Sequence, residues 1–230
     1  SDYERPALRL ASIQNIQVIH EFTHDSFYVG EDGPTHQPIE QIMSLRAIPN
    51  LNVYRPADSK ETASCFKLAI KDKNIPSALI LTRQGVPTLE FSQKQMDENV
   101  SKGAYIVVDS KKTNPDIIII ATGSEVSLAI EVSKSLIDKN VRVISMPSWE
   151  VFSAQSDKYK KEIIPDRGNL KVSLEAGITS GWEKFIGRSG LSIGINHFGS
   201  SAPANDLAIK FGFTVDKVSS KIEKYIKELL

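Results

Sequence analysis

The sequence predicts an α/β protein with two domains, each a mainly parallel sheet flanked by helices, the first one incomplete. Short apolar runs alternate with stretches of helical period along the chain, a pattern typical of parallel strands joined by helices. Four consecutive isoleucines at 117–120 are typical of a strand buried on both faces. A polar stretch at 84–102 contains Pro87 and predicts a linker. We therefore expect domains at residues 1–95 and 96–230.

The first domain opens with a helical pattern that has Pro6 near its first turn. Its strands are predicted at 17–22, 51–55 and 77–82, with helices at 38–47 and 59–72 between them. Asp58 precedes the second of these helices and Glu61 follows three residues later, which is the spacing of a capping box. Cys65 falls within that helical pattern, where we expect a buried thiol and not a nucleophile.

The second domain continues the alternation with more elements. Strands are predicted at 104–108, 116–121, 141–146, 170–175 and 191–195, and helices at 124–139, 155–163, 180–187, 203–211 and 214–229. The last helix has Val218, Ile222 and Leu229 at helical spacing. The turn at 122–125 follows a buried strand and opens a helix, so its amides could hold an anion, although helix capping is the favoured interpretation.

Composition excludes several classes of function. Lys plus Arg and Asp plus Glu both number 28, so no net charge attracts nucleic acid or an anionic membrane. The longest apolar run, 117–121, is far shorter than the ~20 residues that span a bilayer. The single cysteine excludes an internal disulfide and suits a reducing compartment. With no visible signal peptide, the predicted localisation is cytoplasmic.

The most informative segment is the loop at 23–38, which follows an apolar run. It holds two of the four histidines, His24 and His36, close to the carboxylates of Asp25, Glu31 and Asp32. Two glycines and two prolines restrict its backbone. Imidazoles and carboxylates on a shaped loop at a strand end are the groups that a binding or catalytic site needs.

Two strand ends are expected to deliver charged groups to one edge of the first sheet. His24 follows the first strand and Arg83 the third, and ligands of parallel sheets bind outside the carboxyl ends of strands. Arg83 is suited to bind a phosphate, although a surface ion pair is the alternative. With Pro38 as the first helical residue, His36 would face the positive helix end and stay neutral, or simply cap the helix.

For the remaining candidate residues, a structural role is the alternative to a functional one. Asp32 could be only a turn residue, and His20, inside the first strand, is predicted to be structural. His24, Asp32 and His36 lack any established metal-ligand spacing, so we predict no protein-ligated metal.

The loop sequence Gly-Glu-Asp-Gly-Pro-Thr-His-Gln-Pro at 30–38 resembles that of transketolases, which are thiamine-diphosphate enzymes. The similarity covers nearly the whole chain. It includes Arg-Pro-Ala-Asp at 55–58, Thr-Arg-Gln at 82–84, Ala-Thr-Gly-Ser-Glu-Val at 121–126, and the ending with Phe-Gly at 198–199 and Phe-Gly-Phe at 211–213.

The resemblance implies an activity and roles for single residues. Transketolases transfer a two-carbon ketol unit from a ketose phosphate to an aldose phosphate, in the pentose phosphate pathway, as homodimers with thiamine diphosphate and a divalent cation (Mg or Ca). By this resemblance His24 and Arg83 would bind the sugar phosphate, and Asp32 the substrate's α-hydroxyl. His36 would bind hydroxyls at the transferred carbons and take part in catalysis, and Tyr3 would pack against the cofactor's pyrimidine ring. No nucleic acid or membrane partner is implied.

Parts of the family pattern are not found in this sequence. The Gly-Asp-Gly motif that holds the diphosphate and its metal is absent, and so is the glutamate that activates the cofactor. We therefore expect the second half of a pyrimidine-binding domain followed by a complete C-terminal domain. This fragment is expected to be inactive alone and to bind neither cofactor nor metal. Phe27-Tyr28 also departs from the Ile-Gly of many relatives.

Three alternatives remain open. Dihydroxyacetone synthase has nearly the same loop and differs in its acceptor. Deoxyxylulose-phosphate synthase has a similar core, but the lead-in at 23–26 argues against it. The third is a non-catalytic assembly or regulatory module, which would not need to keep His24, Asp32, His36 and Arg83 together.

Overall fold

The computed structural model describes residues 1–111, 114–166 and 169–229, which form two sheets flanked by helices. The first sheet is parallel, with the strand order β1-β3-β2. Its strands are β1 (Ile19–Thr23), β2 (Asn52–Tyr54) and β3 (Ser77–Leu81), and its helices are α1 (Arg5–Gln14), α2 (Gln41–Arg46) and α3 (Ser59–Lys71). We call these elements the first unit.

The second sheet has five strands in the order β4-β6-β5-β7-β8, all parallel except β4, which pairs with β6 in the antiparallel sense. Helix α4 (Gln93–Val100) precedes this second unit. Its strands are β4 (Tyr105–Val108), β5 (Ile117–Ala121), β6 (Val141–Ser145), β7 (Leu170–Leu174) and β8 (Leu191–Ile193), and its helices are α5 (Glu125–Ser135), α6 (Trp149–Ser153), α7 (Asp157–Ile163), α8 (Glu183–Ile186), α9 (Ala204–Phe211) and α10 (Val215–Leu229). The isoleucine run forms β5, which is buried along its whole length between β6 and β7.

The predicted fold class is confirmed, but two local predictions are wrong and one helix was not predicted. The stretch at 84–102 is not all linker, because a capping box of Ser92 and Gln95 starts α4 within it. Helix α6 was not predicted; the Ser148 side chain caps it. The helix predicted at 38–47 begins only at Gln41. The expected boundary between residues 95 and 96 falls inside α4, and the division into two domains there stays a prediction.

A buried arginine joins the two units. Arg55, directly after β2, is fully buried and donates from Nε to Asp25 Oδ2 at 2.9 Å. Its Nη1 donates to the carbonyl and hydroxyl oxygens of Thr122, both at 2.9 Å, and to the Glu125 carboxylate. Asp25 belongs to the loop after β1, and Thr122 and Glu125 to the turn between β5 and α5. One cation therefore ties the loop to the second unit.

A second buried arginine extends this network. Arg46 on α2 donates both terminal nitrogens to the Glu175 carboxylate at 2.8 Å, and its guanidinium lies 3.9 Å from the Trp149 ring centroid. Thr122 Oγ1 also donates to Glu175, at 2.6 Å. Burial by itself would raise the pKa of Glu175, but Arg46 beside it lowers that pKa to about 2. Glu175 therefore stays ionised and paired with Arg46.

Gly123 shows how closely the two units approach. Its φ is +56°, and a Cβ built there would lie 2.7 Å from Cζ of Arg55. Its amide donates to the Arg55 carbonyl at 3.0 Å. The turn between β5 and α5 thus packs its backbone directly against the guanidinium, which requires glycine at this position. The turn is a contact between the units and not a free anion site.

A buried glutamate makes a further contact between the units. Glu61 on α3 accepts from the hydroxyls of Tyr105 and Ser145, each at 2.5 Å, and from the Ala57 amide at 2.6 Å. Tyr105 and Ser145 lie on β4 and β6 of the second unit. Burial raises the pKa of Glu61 to about 7, although these hydrogen bonds act in the opposite direction.

Among the helices of the described residues, none combines the length and the apolar composition that crossing a membrane requires.

We predict that Glu61 makes the protein less stable as the pH rises from about 4.5 to 7. Its folded-state pKa lies above the ordinary value of 4.5, so the folded state binds more protons than the unfolded state in this window. Stability is therefore fullest below the lower value and is lost as pH rises through the upper one, by an amount on the order of 3 kcal/mol. Urea unfolding between pH 4 and 8 measures this loss.

The matched variants are Glu61→Gln, which cannot ionise, and Glu98→Gln on the exposed face of α4. Glu61→Gln should flatten the pH dependence, and Glu98→Gln should leave it unchanged. Parallel curves for the native protein and Glu61→Gln would contradict the assignment.

Candidate active site

A pocket of about 430 Å³ lies at the carboxyl edge of the first sheet, beside the ends of β1 and β3. Its lining includes the side chains of His24, Asp32 and His36, which the sequence singled out. All three are exposed, so they are open to a ligand. Apolar walls come from Phe22, Ile80 and other residues of the first unit, and Phe198 reaches in from the second unit.

The loop is anchored by aromatic packing just beyond β1. A short 3-10 helix, Phe27–Val29, places the Phe27 ring 5.3 Å from Phe211 and 5.2 Å from Phe213 between centroids. Phe27 is fully buried, and Tyr28 packs against it. The two residues that depart from the Ile-Gly of many relatives thus belong to a packed contact with the second unit. Neither of them lines the pocket.

His24 has an unusual backbone conformation. Its φ is +59°, in the left-handed region that residues with side chains rarely adopt. The next residue, Asp25, is buried and held by Arg55. Since Asp25 is fixed, the chain turns at His24, and the imidazole stays exposed in the pocket.

Gln37 fixes the other end of the loop. Its buried amide donates to the Gly30 carbonyl at 2.8 Å and to the Ser200 carbonyl at 2.9 Å. Its Oε1 accepts from the Ser200 amide at 3.0 Å. A Cβ built at Gly199 would lie 1.6 Å from this Oε1, so the approach requires glycine. We call these contacts the Gln37 clamp.

The structure gives His36 a different setting from the one predicted. Since α2 begins at Gln41 and not at Pro38, His36 does not stand at a helix end and the dipole argument for a neutral ring does not apply. Its Nδ1 lies 3.0 Å from Thr35 Oγ1 in the pocket lining. Thr35 therefore orients the ring and leaves Nε2 for a ligand.

Arg83 and Tyr3 are not part of the pocket lining. Arg83 follows β3, whose last residue, Leu81, pairs with Thr23 at the end of β1, so Arg83 and His24 emerge from neighbouring strands. The Arg83 side chain is exposed and forms no ion pair with another described residue. Tyr3 lies on the surface with its ring fully exposed, although its neighbour Asp2 lines the pocket.

Sequence reasoning missed the supporting residues of this site. Asp25 was noted only as one of several carboxylates, and Gln37 and Phe198 had no assigned role. Their partners lie far along the chain, and no local pattern shows such pairing. Among the residues that the structure describes, no group of three or more His, Cys, Asp or Glu could hold a metal ion.

Two family models match the chain. The transketolase pyrimidine-binding domain matches residues 1–88, and the transketolase-like C-terminal domain matches residues 103–214. The first match contains the loop and Arg83, and the second contains Phe198 and all five strands of the second sheet. Both halves of the pocket therefore lie in matched regions.

Similar proteins agree with these models. The transketolase of Bacillus subtilis is 46% identical over 230 residues, covering 99% of this chain and 34% of the relative. That of Geobacillus stearothermophilus is 48% identical over 220 residues, covering 95% and 33%. The solved transketolase from Leishmania mexicana superposes with a TM-score of 0.91 at 43% identity, covering 99% and 33%. The chain spans about a third of the length of the relatives that it matches.

We predict that Gly199→Ala breaks the Gln37 clamp. The new methyl group would displace the Gln37 amide and take away the partner of the buried Gly30 carbonyl and of the part-buried backbone groups of Ser200. The free energy of unfolding should fall by about 2–4 kcal/mol, measured by urea unfolding. The Ser200 amide should also lose its protection from hydrogen exchange.

Gly85→Ala is the matched control, since a Cβ there meets no atom within 4 Å. Its effect should stay within about 0.5 kcal/mol. Equal stability of the two variants would show that the clamp does not hold the loop.

Proposed function

Because the chain belongs to the transketolase family, we propose that it forms part of an enzyme that transfers a two-carbon ketol unit from a ketose phosphate to an aldose phosphate. The observation that carries this proposal is the pocket, in which the loop exposes His24, Asp32 and His36 together. The relatives described above are transketolases, so dihydroxyacetone synthase, deoxyxylulose-phosphate synthase and a non-catalytic module are not favoured.

The pocket residues suggest a division of roles. The Asp32 carboxylate would accept a hydrogen bond from the α-hydroxyl of the substrate, and His36 would bind hydroxyls at the transferred carbons and move a proton there. His24 and Arg83 would bind the phosphate from adjacent strand ends, although only His24 lines the pocket. The phosphate would then lie at the rim, where Arg83 is exposed.

The cofactor would be thiamine diphosphate, which carries the two-carbon unit when bound. The fit to the described residues is partial. Tyr3 offers an exposed ring beside the pocket, which suits packing against the pyrimidine. No described cluster of His, Cys, Asp or Glu suits the divalent cation, so we propose that the diphosphate and a Mg or Ca ion are held by residues outside these 230.

The rest of the assignment follows from the family and stays a proposal. We infer a homodimer in the cytoplasm that serves the pentose phosphate pathway. We also infer that residues 1–230 alone are inactive and bind no thiamine diphosphate, since they span about a third of the relatives.

The direct test uses the completed enzyme, meaning residues 1–230 joined to the part of a transketolase that they do not cover. This is either a longer natural polypeptide or a fusion with the Bacillus subtilis relative. It should transfer two carbons from a ketose phosphate to ribose 5-phosphate when thiamine diphosphate and magnesium are present. Residues 1–230 by themselves should not. A completed enzyme that folds, binds the cofactor and transfers nothing would overturn the proposal.

Arg83→Ala in the completed enzyme should separate phosphate binding from the reaction. The phosphate lies far from the bond that breaks, so Arg83 would bind ground state and transition state about equally. KM for phosphorylated acceptors should rise about 10- to 150-fold, equivalent to ~1.5–3 kcal/mol, with kcat within a few-fold. Short unphosphorylated aldehydes should react almost as before, in steady-state assays.

Arg188→Ala serves as the control, because it removes another exposed arginine that does not line the pocket. It should change neither constant. A large loss of kcat with glycolaldehyde after Arg83→Ala would assign Arg83 to the reaction centre or to the fold.

A further inference from the structure

One aromatic side chain of the second unit lies at the candidate site and is mostly exposed to solvent. Phe198 lines the pocket beside the loop, yet 75% of its surface is exposed. The segment that carries it, 197–203, connects β8 to α9. Because Phe198 lines the pocket and most of its surface is uncovered, its ring is available to a ligand bound there.

The backbone on both sides of Phe198 is fixed against the loop. The Gln37 clamp holds Gly199 and Ser200, and Ser201 Oγ donates to the Glu31 carbonyl at 2.5 Å. On the other side, the His197 ring packs against Phe211 at 5.1 Å between centroids. The Phe198 ring is thus presented from a rigid support and not from a free loop end.

These contacts also locate the ring within the pocket. They join the segment at 197–203 to residues 30–37, the part of the loop that carries Asp32 and His36. The ring therefore lines the same pocket as Asp32 and His36. There it adds an apolar wall to a part of the pocket whose reactive groups are polar.

We propose that Phe198 is a specificity-determining residue, and that its ring binds the C–H face of the substrate's carbon chain. This inference rests on the proposed function. A sugar carries its hydroxyls on its edges and exposes C–H groups between them, so it can present hydroxyls to Asp32 and His36 and carbon to the ring. Pockets for small molecules combine apolar walls with a few placed polar groups in this way.

The proposal predicts a dependence on chain length. An acceptor of two carbons ends at the reaction centre and offers the ring little surface. Each further carbon adds apolar contact, which is worth about 0.8 kcal/mol for a fully buried methylene, or roughly 4-fold in kcat/KM. With each added carbon of the acceptor, kcat/KM should therefore rise more for the native enzyme than for a variant without the ring.

The experiment compares unphosphorylated aldehydes of two, three and four carbons in the completed enzyme, so that no phosphate contact enters. Phe198→Ala should lower kcat/KM about 10-fold for the four-carbon acceptor and less than about 2-fold for glycolaldehyde. Phe198→Tyr keeps the ring and should restore the native dependence. Ile209→Ala, which removes another exposed apolar side chain on α9 away from the pocket, should match the native enzyme.

The outcomes are distinct. Equal losses for all acceptors would make Phe198 a structural residue, and unchanged kinetics would show that the ring touches no substrate; either overturns the inference and leaves transketolase activity standing. A change in oligomeric state after Phe198→Ala would show that protein covers the ring, which also overturns it. If the native completed enzyme transfers nothing, the proposed function fails and the inference fails with it.

Discussion

The buried Arg55 cation is the constraint on which the rest of this structure depends. A charged group without water must be compensated by partners, and Arg55 takes them from both units: Asp25 in the first, Thr122 and Glu125 in the second. Replacing either carboxylate partner by an apolar residue would leave a charge buried without its partner, at a cost of about 3–5 kcal/mol. The same cation that docks the units therefore also fixes the start of the loop. The contacts that hold the two units together therefore also position the loop that carries the candidate site.

The second unit shapes the pocket although most pocket residues belong to the first. Arg55 and its partners hold the loop at Asp25, aromatic packing holds it at Phe27, and the Gln37 clamp holds it beyond Asp32. The left-handed backbone at His24 persists because the residue after it is fixed. A site held at three points is preorganised, so a substrate would bind without first ordering the loop.

The sequence was sufficient to predict the fold class, because the all-apolar composition of strands such as 117–121 indicates that both faces of the strand are buried. It was sufficient for His24, Asp32 and His36 as candidates, because they cluster within one loop. It failed where the signal was weak or distant. Helix α4 was overlooked since its polar residues and Pro87 upstream hid the capping box at Ser92. The pairing of Gln37 with Ser200 joins segments whose proximity only the tertiary structure reveals.

The contact between Gly123 and Arg55 makes these two positions dependent on each other in evolution. A side chain at Gly123 meets the guanidinium, so any larger residue there is excluded while the arginine is present. If Arg55 were first replaced by a smaller residue, the clash with the guanidinium would be relieved, but the positive φ at Gly123 would still disfavour a side chain there. Asp25 and Glu125 would also lose their cation. Either single substitution is therefore destabilising by itself, a case of epistasis between neighbours. In related sequences with this fold, we expect the arginine at position 55 and the glycine at position 123 to be retained together or replaced together.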